Sequence, residues 1–269
     1  MTSQPPITSH SNQTIKAVKR LRMRKAREEE GTFVIEGVRH LFDAVEAGWV
    51  LRIVLFEPSD LARPKTAELI EKCRASGATC LEVSRDVMAG VAKRDNPETV
   101  IAVAEQRLYE LDALDVSADK LSIVLEEIRD PGNLGTIART ADAVGAYNIV
   151  LVGSTCDPFS PEAVRASMGS FARIRFTRAS LEDFQIWRAG WSGQVVGAHL
   201  EGAVDYRQAN TSGPLILAMG TEQAGLSDTL SRTCDELVRI PMVDGVDSLN
   251  LAISTGVLLY QIRANSGYF

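Results

Sequence analysis

The 269-residue sequence has few of the groups that carry metal or redox chemistry: four cysteines and three histidines. Cys73, Cys80, Cys156 and Cys234 share no C-x-x-C spacing, so a zinc site and a redox dithiol both lack support, and a disulfide framework is not expected in a chain this long. They read as reduced packing residues. His10, His40 and His199 are isolated from one another, and no bound metal is expected. No apolar run approaches the ~20 residues that span a bilayer, and the first residues are polar and then basic with no apolar signal core. A cytoplasmic protein with no membrane partner is expected. Also missing are G-x-G-x-x-G after a strand, G-x-x-x-x-G-K-[ST], G-x-S-x-G and H-E-x-x-H. Nicotinamide dehydrogenase, P-loop and hydrolase chemistries thereby lose their main sequence basis.

What is present is enough apolar material for real cores, at 45% hydrophobic residues. The net charge of −6 argues at first against a nucleic-acid partner. The charge is unevenly spread, however. Residues 1–107 hold 17 Lys+Arg against 15 Asp+Glu, and residues 108–269 hold 12 against 20. Lys16, Lys19, Arg20, Arg22, Arg24, Lys25 and Arg27 fall within twelve residues free of acids. Local positive charge is what attracts phosphate, although such a run also suits a solvated helix face.

The pattern predicts a helix over 11–30 that stops at Gly31, a strand at 32–37, a helix at 40–48 and a strand at 52–57. A helix at 64–76, a strand at 79–83 and the apolar VIAVAE run (100–105) follow. The acidic, weakly periodic stretch 107–120 marks a domain junction, giving an N-terminal domain (1–107), a linker (108–119) and a C-terminal domain (120–269). Strands at 121–127, 148–153, 173–176, 194–200 and 214–220 then alternate with helices near 134–145, 161–168 and 180–188. These strands are apolar throughout, as in a parallel sheet covered on both faces. The last element, 248–265, is a helix with Leu249, Ile253, Gly256, Val257 and Tyr260 on one stripe. The fold class is α/β, with a mostly parallel C-terminal sheet and a smaller N-terminal α/β domain.

In open α/β sheets ligands sit at the carboxyl ends of strands, and three glycine-bearing loops follow apolar runs. In DPGNLGTIARTADAVGA (130–146), Asn133 reads singly as a helix N-cap and Arg139 as a surface arginine. In LAMGTEQAGLS (217–227), Gly220 ends a buried strand, and Glu222 reads as an ordinary turn residue. In RIPMVDGVDSLNLAIS (239–254), Asp247 or Ser248 is the natural N-cap of the last helix, with Asn250 in its first turn.

Together and in this order, the three loops resemble the signature motifs of the SpoU (TrmH-type) family of RNA ribose methyltransferases in the SPOUT superfamily. Residues 7–48 are similar to the ribosomal-protein-like substrate-binding module of members that act on ribosomal RNA. The resemblance implies an S-adenosylmethionine-dependent enzyme methylating a ribose 2′-hydroxyl in structured RNA, most simply ribosomal RNA, with transfer RNA as an alternative. It implies a deep trefoil knot and a homodimer. It places Asn133, Arg139, Glu222, Ser248 and Asn250 in the catalytic site, and Leu217, Gly220, Ile240, Met242, Ser248 and Leu249 around the cofactor. Lys16, Lys19, Arg20, Arg24, Arg27 and Arg165 are the expected RNA contacts, Arg165 lying by the catalytic domain's own strand ends. Arginine is a poor base at neutral pH, so Arg139 is expected to bind a phosphate and steady the developing alkoxide. Asn133 would hold Arg139, while Ser248 and Asn250 would orient the ribose. The rival reading is a non-catalytic RNA-binding or ribosome assembly factor of the same fold.

Overall fold

The computed structural model describes residues 5–92, 98–114, 121–200, 204–245 and 248–267. Along the chain run α1 (Gln13–Arg20), α2 (Arg24–Glu30), β1 (Thr32–Glu36), α3 (Val38–Glu46), β2 (Leu51–Phe56), α4 (Pro64–Ala75), β3 (Thr79–Glu82), α5 (Arg85–Ala92) and β4 (Val100–Glu105). Then come β5 (Leu108–Tyr109), β6 (Leu121–Glu126), α6 (Pro131–Ala143), β7 (Asn148–Val152), α7 (Pro161–Ala166), β8 (Arg175–Ala179), α8 (Leu181–Ala189) and β9 (Gln194–Ala198). β10 (Val204–Asp205), β11 (Leu215–Met219), α9 (Asp228–Ser231), β12 (Glu236–Arg239) and α10 (Leu251–Asn265) complete it. The chain divides into two compact units, Met1–Gln106 with Phe159–Ala172, and Arg107–Pro158 with Arg173–Phe269.

The first unit holds a four-stranded sheet in the order β1-β4-β2-β3, antiparallel except for the β2–β3 pair. β1 is buried along its whole length because both of its faces are covered. Val34 joins Ile15, Val18, Leu21, Val87, Met88 and Val91 from the helical layer. Phe33, pointing the other way, meets Trp49, Phe159 and Phe171 at centroid distances of 4.8–5.8 Å. Trp49 Nε1 donates to the Ala172 carbonyl at 2.9 Å. The segment 159–172, expected to accompany the C-terminal sheet, therefore builds the second face of this smaller one.

The single helix expected over 11–30 is two helices. Leu21 turns into the core, and the buried Arg27 donates to the Leu21 and Arg22 carbonyls at 2.8 Å each, closing the end of α1. The stop at Gly31 is observed, with the residue in the left-handed region at φ 60°. α5 went unrecognised in the sequence.

The second unit carries a fully parallel eight-stranded sheet in the order β10-β12-β9-β11-β6-β7-β8-β5. β6, β7 and β11 are buried at every position, as their mostly apolar runs predict, and Ser122, Glu126 and Asn148 are buried with them. The first residues of the expected linker, Leu108 and Tyr109, form the strand that pairs with β8, while 115–119 lie outside the described residues. Strand order follows chain order only through β6-β7-β8. β9, β10 and β11 follow one another in sequence, yet β12 lies between β9 and β10.

α10 packs against α6, and its buried face is Leu251, Ala252, Thr255, Leu258, Leu259 and Ile262. The stripe read from the sequence is not the buried face: Leu249, Ile253 and Tyr260 are exposed. Periodicity alone did not distinguish the two faces because both are apolar. At the far end, the buried Arg263 donates to the Val144 and Gly145 carbonyls at 2.6 and 2.8 Å, just past the end of α6.

Candidate active site

The site is built where α6 and α10 begin. α6 opens with Asp130, not Asn133, as its N-cap: the Asp130 carboxylate accepts from the Asn133 backbone N–H at 2.6 Å, with Pro131 in the first turn. That releases the Asn133 side chain. α10 is capped by Asn250 itself, whose Oδ1 accepts from the N–H groups of Ala252 at 2.9 Å and Ile253 at 3.3 Å. The expectation of Asp247 or Ser248 there fails by two to three residues; Asp247 lies outside the described residues.

Asn133 Nδ2 donates to Glu222 Oε1 at 2.7 Å, and Asn250 Nδ2 donates to Asn133 Oδ1 at 3.0 Å. Each amide has only one orientation that satisfies this chain. The ionised carboxylate accepts only, so Asn133 must present its NH₂ to Glu222 and its oxygen to Asn250. Asn250 must then spend its own oxygen on the helix. One residue from each glycine loop is thereby joined to the other two. Because Asn133 meets Asn250 at one end of the helix pair and Arg263 meets Val144 at the other, α6 and α10 run side by side in the same direction. Their positive N-terminal ends converge on the site.

Beside Glu222 opens a pocket at the carboxyl ends of the three neighbouring strands β9, β11 and β12, through Ala198, Met219 and Val238. Gly220, Glu222, Ile240, Met242, Ser248 and Leu249, all expected in the site, line it. Gly220 has no room for a side chain, since a Cβ there would lie 2.0–2.1 Å from the Gly225 and Leu226 backbone. Thr221 and Gly225 exchange backbone hydrogen bonds of 2.9 and 3.0 Å, folding 220–225 back on itself with Gly225 at φ 68°. The buried Glu126, at the end of β6, accepts from Ser227 N at 2.8 Å and Ser227 Oγ at 2.6 Å and so moors the loop's exit.

Leu217 does not line the pocket; it is fully buried in β11, and Met219, two residues on, takes the place. Arg139 is exposed on α6 and is not part of the Asn133 chain of bonds, so Asn133 does not hold it. Ala198, His199, Leu200, Thr221, Gln223 and Val238 were missed as lining residues. The strand-end rule applied to QVVGAHL would have flagged the first three.

Among the expected RNA contacts, Lys16 and Arg20 are exposed, and Arg24 pairs with Glu28 at 2.7 Å. Lys19 Nζ lies 2.9 Å from His10 Nδ1. Arg27 is buried with its donors given to the Leu21 and Arg22 carbonyls, which withdraws it from a phosphate. Arg165 stands on α7 in the first unit, 3.6 Å from the buried Glu36.

A parallel sheet whose adjacent strand ends enclose a glycine-walled, largely apolar pocket defines a domain for a compact nucleoside-type cofactor. Comparison with known proteins narrows that class. Residues 120–260 match the SpoU rRNA Methylase family and residues 12–102 the MRM3-like substrate binding domain. The chain belongs to the SpoU rRNA methylase family. An AdoMet-bound rRNA methyltransferase from Sinorhizobium meliloti is 42% identical, with a TM-score of 0.91 over 97% of this chain and 98% of that one. A 23S rRNA (uridine(2479)-2′-O)-methyltransferase of Streptomyces viridochromogenes is 31% identical over 88% of this chain and 84% of its own. A 23S rRNA (guanosine(2553)-2′-O)-methyltransferase of Bacillus subtilis is 29% identical over 96% and 98%. The cofactor of this family, S-adenosylmethionine, fits what the pocket offers. Its walls include Gly220 and the apolar residues Met219, Ile240, Met242 and Leu249.

Proposed function

We propose that this chain methylates a ribose 2′-hydroxyl of ribosomal RNA, with S-adenosylmethionine as methyl donor. The observation that carries the reading is the Glu222–Asn133–Asn250 chain of bonds, at the convergent starts of α6 and α10 and beside the cofactor pocket. A binding protein without turnover has no use for three loops locked together at that point. Bound there, S-adenosylmethionine supplies a methyl group already activated on a sulfonium.

What remains for the chain is to align one oxygen and to tolerate its charge as the proton leaves. Gly220, Ile240, Met242, Ser248 and Leu249 hold the donor. Asn250, its orientation fixed by Asn133, and Ser248 fix the ribose. The exposed guanidinium of Arg139 grips the neighbouring phosphate and steadies the alkoxide. The two helix N-termini add favourable potential for the same charge. Proton removal falls to that phosphate or to solvent.

The knot implied by the resemblance is supported by β12 lying between β9 and β10, a strand inserted into the arc of chain that precedes it. A homodimer is supported by the exposed apolar residues Ile253 and Tyr260 on α10 and Leu249 just before its cap. Lys16, Lys19, Arg20 and Arg165 remain the proposed phosphate contacts, and the domain limits 1–107 and 120–269 are the working division except that 159–172 goes with the first unit. A ribosomal RNA substrate puts the protein in the cytoplasm; among the described residues no helix is long and apolar enough to cross a membrane.

The test is transfer of tritiated methyl to rRNA from cells lacking the gene, followed by alkaline hydrolysis. Label in alkali-resistant dinucleotides is the expected result, because a methylated 2′-oxygen cannot attack the adjacent phosphate. Label recovered in mononucleotides would mean base methylation. Arg139→Lys should lose most of the turnover, and near-normal turnover would remove the guanidinium from the mechanism.

A further inference from the structure

We propose that the first unit holds a recess for one unstacked nucleotide of the substrate RNA, walled by Lys19, Arg20, Arg22, Met23 and Gly90; this rests on the RNA methyltransferase reading and says where that unit takes hold.

The break between α1 and α2 makes the recess. Leu21 goes to the core, and Met23 is turned outward, 58% exposed, facing Gly90 on α5 across a pocket. A lone exposed methionine means little. This one shares its pocket with three cations whose aliphatic stems help make the lining mostly apolar.

Two of those cations are held in place. His10 bridges Lys19 to α5: its Nε2 lies 2.7 Å from Asp86 Oδ2 and its Nδ1 2.9 Å from Lys19 Nζ. That bridge needs a glycine at 90, because a Cβ there would sit 2.5 Å from the His10 ring and 3.1 Å from Lys19 Nζ. Arg22 donates to the Val91 carbonyl. Arg20 is 56% exposed and touches Glu29 and Glu30 only at 3.8–3.9 Å, so its guanidinium is available to a ligand.

An apolar floor with a preset cationic rim suits a flat base flanked by phosphates, and the thioether is a soft surface for an aromatic ring. Bases stacked within a duplex could not enter, so the occupant is unpaired. An acidic peptide would satisfy the rim and leave the floor unused.

Full-length protein should be titrated by fluorescence anisotropy with two labelled RNAs, a hairpin with an unpaired loop and the same stem as a complete duplex. Met23→Ala should weaken hairpin binding about fivefold or more, the effect of losing one base-stacking contact. Duplex binding, melting temperature and S-adenosylmethionine affinity should be unchanged. Gly90→Ala, which crowds His10 and Lys19, should act in the same direction. Unchanged hairpin binding in Met23→Ala overturns the proposal, as does equal loss on both probes. Displacement of the hairpin by polyglutamate as effective as by unlabelled hairpin would replace it with an acidic protein partner. rRNA methylation by Met23→Ala with an unaltered KM removes the recess alone, whereas a wild-type protein that neither binds nor methylates rRNA removes the underlying reading.

Discussion

Asn133 is the residue on which the geometry of the site turns. It occupies the third position of α6, where its backbone serves the helix cap and its side chain is left to join Glu222 and Asn250. Asn133→Ala should leave the melting temperature nearly unchanged, since these partners are exposed, yet lower kcat/KM by about a hundredfold through misplacement of Asn250, the group proposed to bind the ribose. Asn133→Asp should be worse than alanine, because it sets a second carboxylate against Glu222. Equal activity of the two variants would show that the Glu222 contact is idle. The thiols behave oppositely to active groups. Burial pushes Cys73 and Cys234 up to about 12 from 9.0. Both should stay protonated and resist alkylation at about pH 8.5 until the protein is denatured. Because the unfolded chain releases these protons first, the stability they confer is complete below pH 9.0 and is lost as the pH rises toward about 12.

Among the elements, the loop after β11 and the two parallel helices decide what the site can hold. Gly220→Ala would drive a methyl group into the Gly225 backbone, where nothing flexible can yield. The loop must open, and S-adenosylmethionine affinity should fall at least tenfold, read by calorimetry, with a lowered melting temperature. Retained affinity would mean that the turn is not part of the cofactor site. The starts of strands and helices were mostly legible, because buried parallel strands are continuous apolar runs and Gly31 is a plain stop. The caps were less so. Asp130 and Asn133 are both good capping residues three positions apart, as are Ser248 and Asn250 two apart, and local chemistry does not choose between them. The choice falls to whichever side chain the neighbouring loop needs.

At the scale of the molecule, α10 presents one apolar face to α6, while Ile253 and Tyr260 on its other side and Leu249 just before its cap are exposed. If that stripe is a subunit interface, Ile253→Asp should halve the mass seen by light scattering and lower methyl transfer while leaving the fold intact by circular dichroism. An unchanged mass would place the interface elsewhere or make the protein a monomer. The division into units follows a similar logic. The segment 159–172 lies between two strands of the larger sheet in sequence, yet Phe159 and Phe171 complete the core around Phe33 and Trp49. No local pattern announces that, because an apolar residue reports only that it will be buried and not against what.

The alternation of strands and helices, the parallel and covered character of the larger sheet, and the three glycine loops whose residues define the family are all legible in the order of the amino acids. These follow from short-range rules of periodicity, turn chemistry and burial. Tertiary structure alone decided that Arg27 serves backbone carbonyls, that Arg165 joins the first unit, which face of α10 is inside, and that Asn133 ties three loops together. Each of those outcomes depends on a partner distant in the chain or on a competing local choice, and only packing brings the partner within reach or settles the choice.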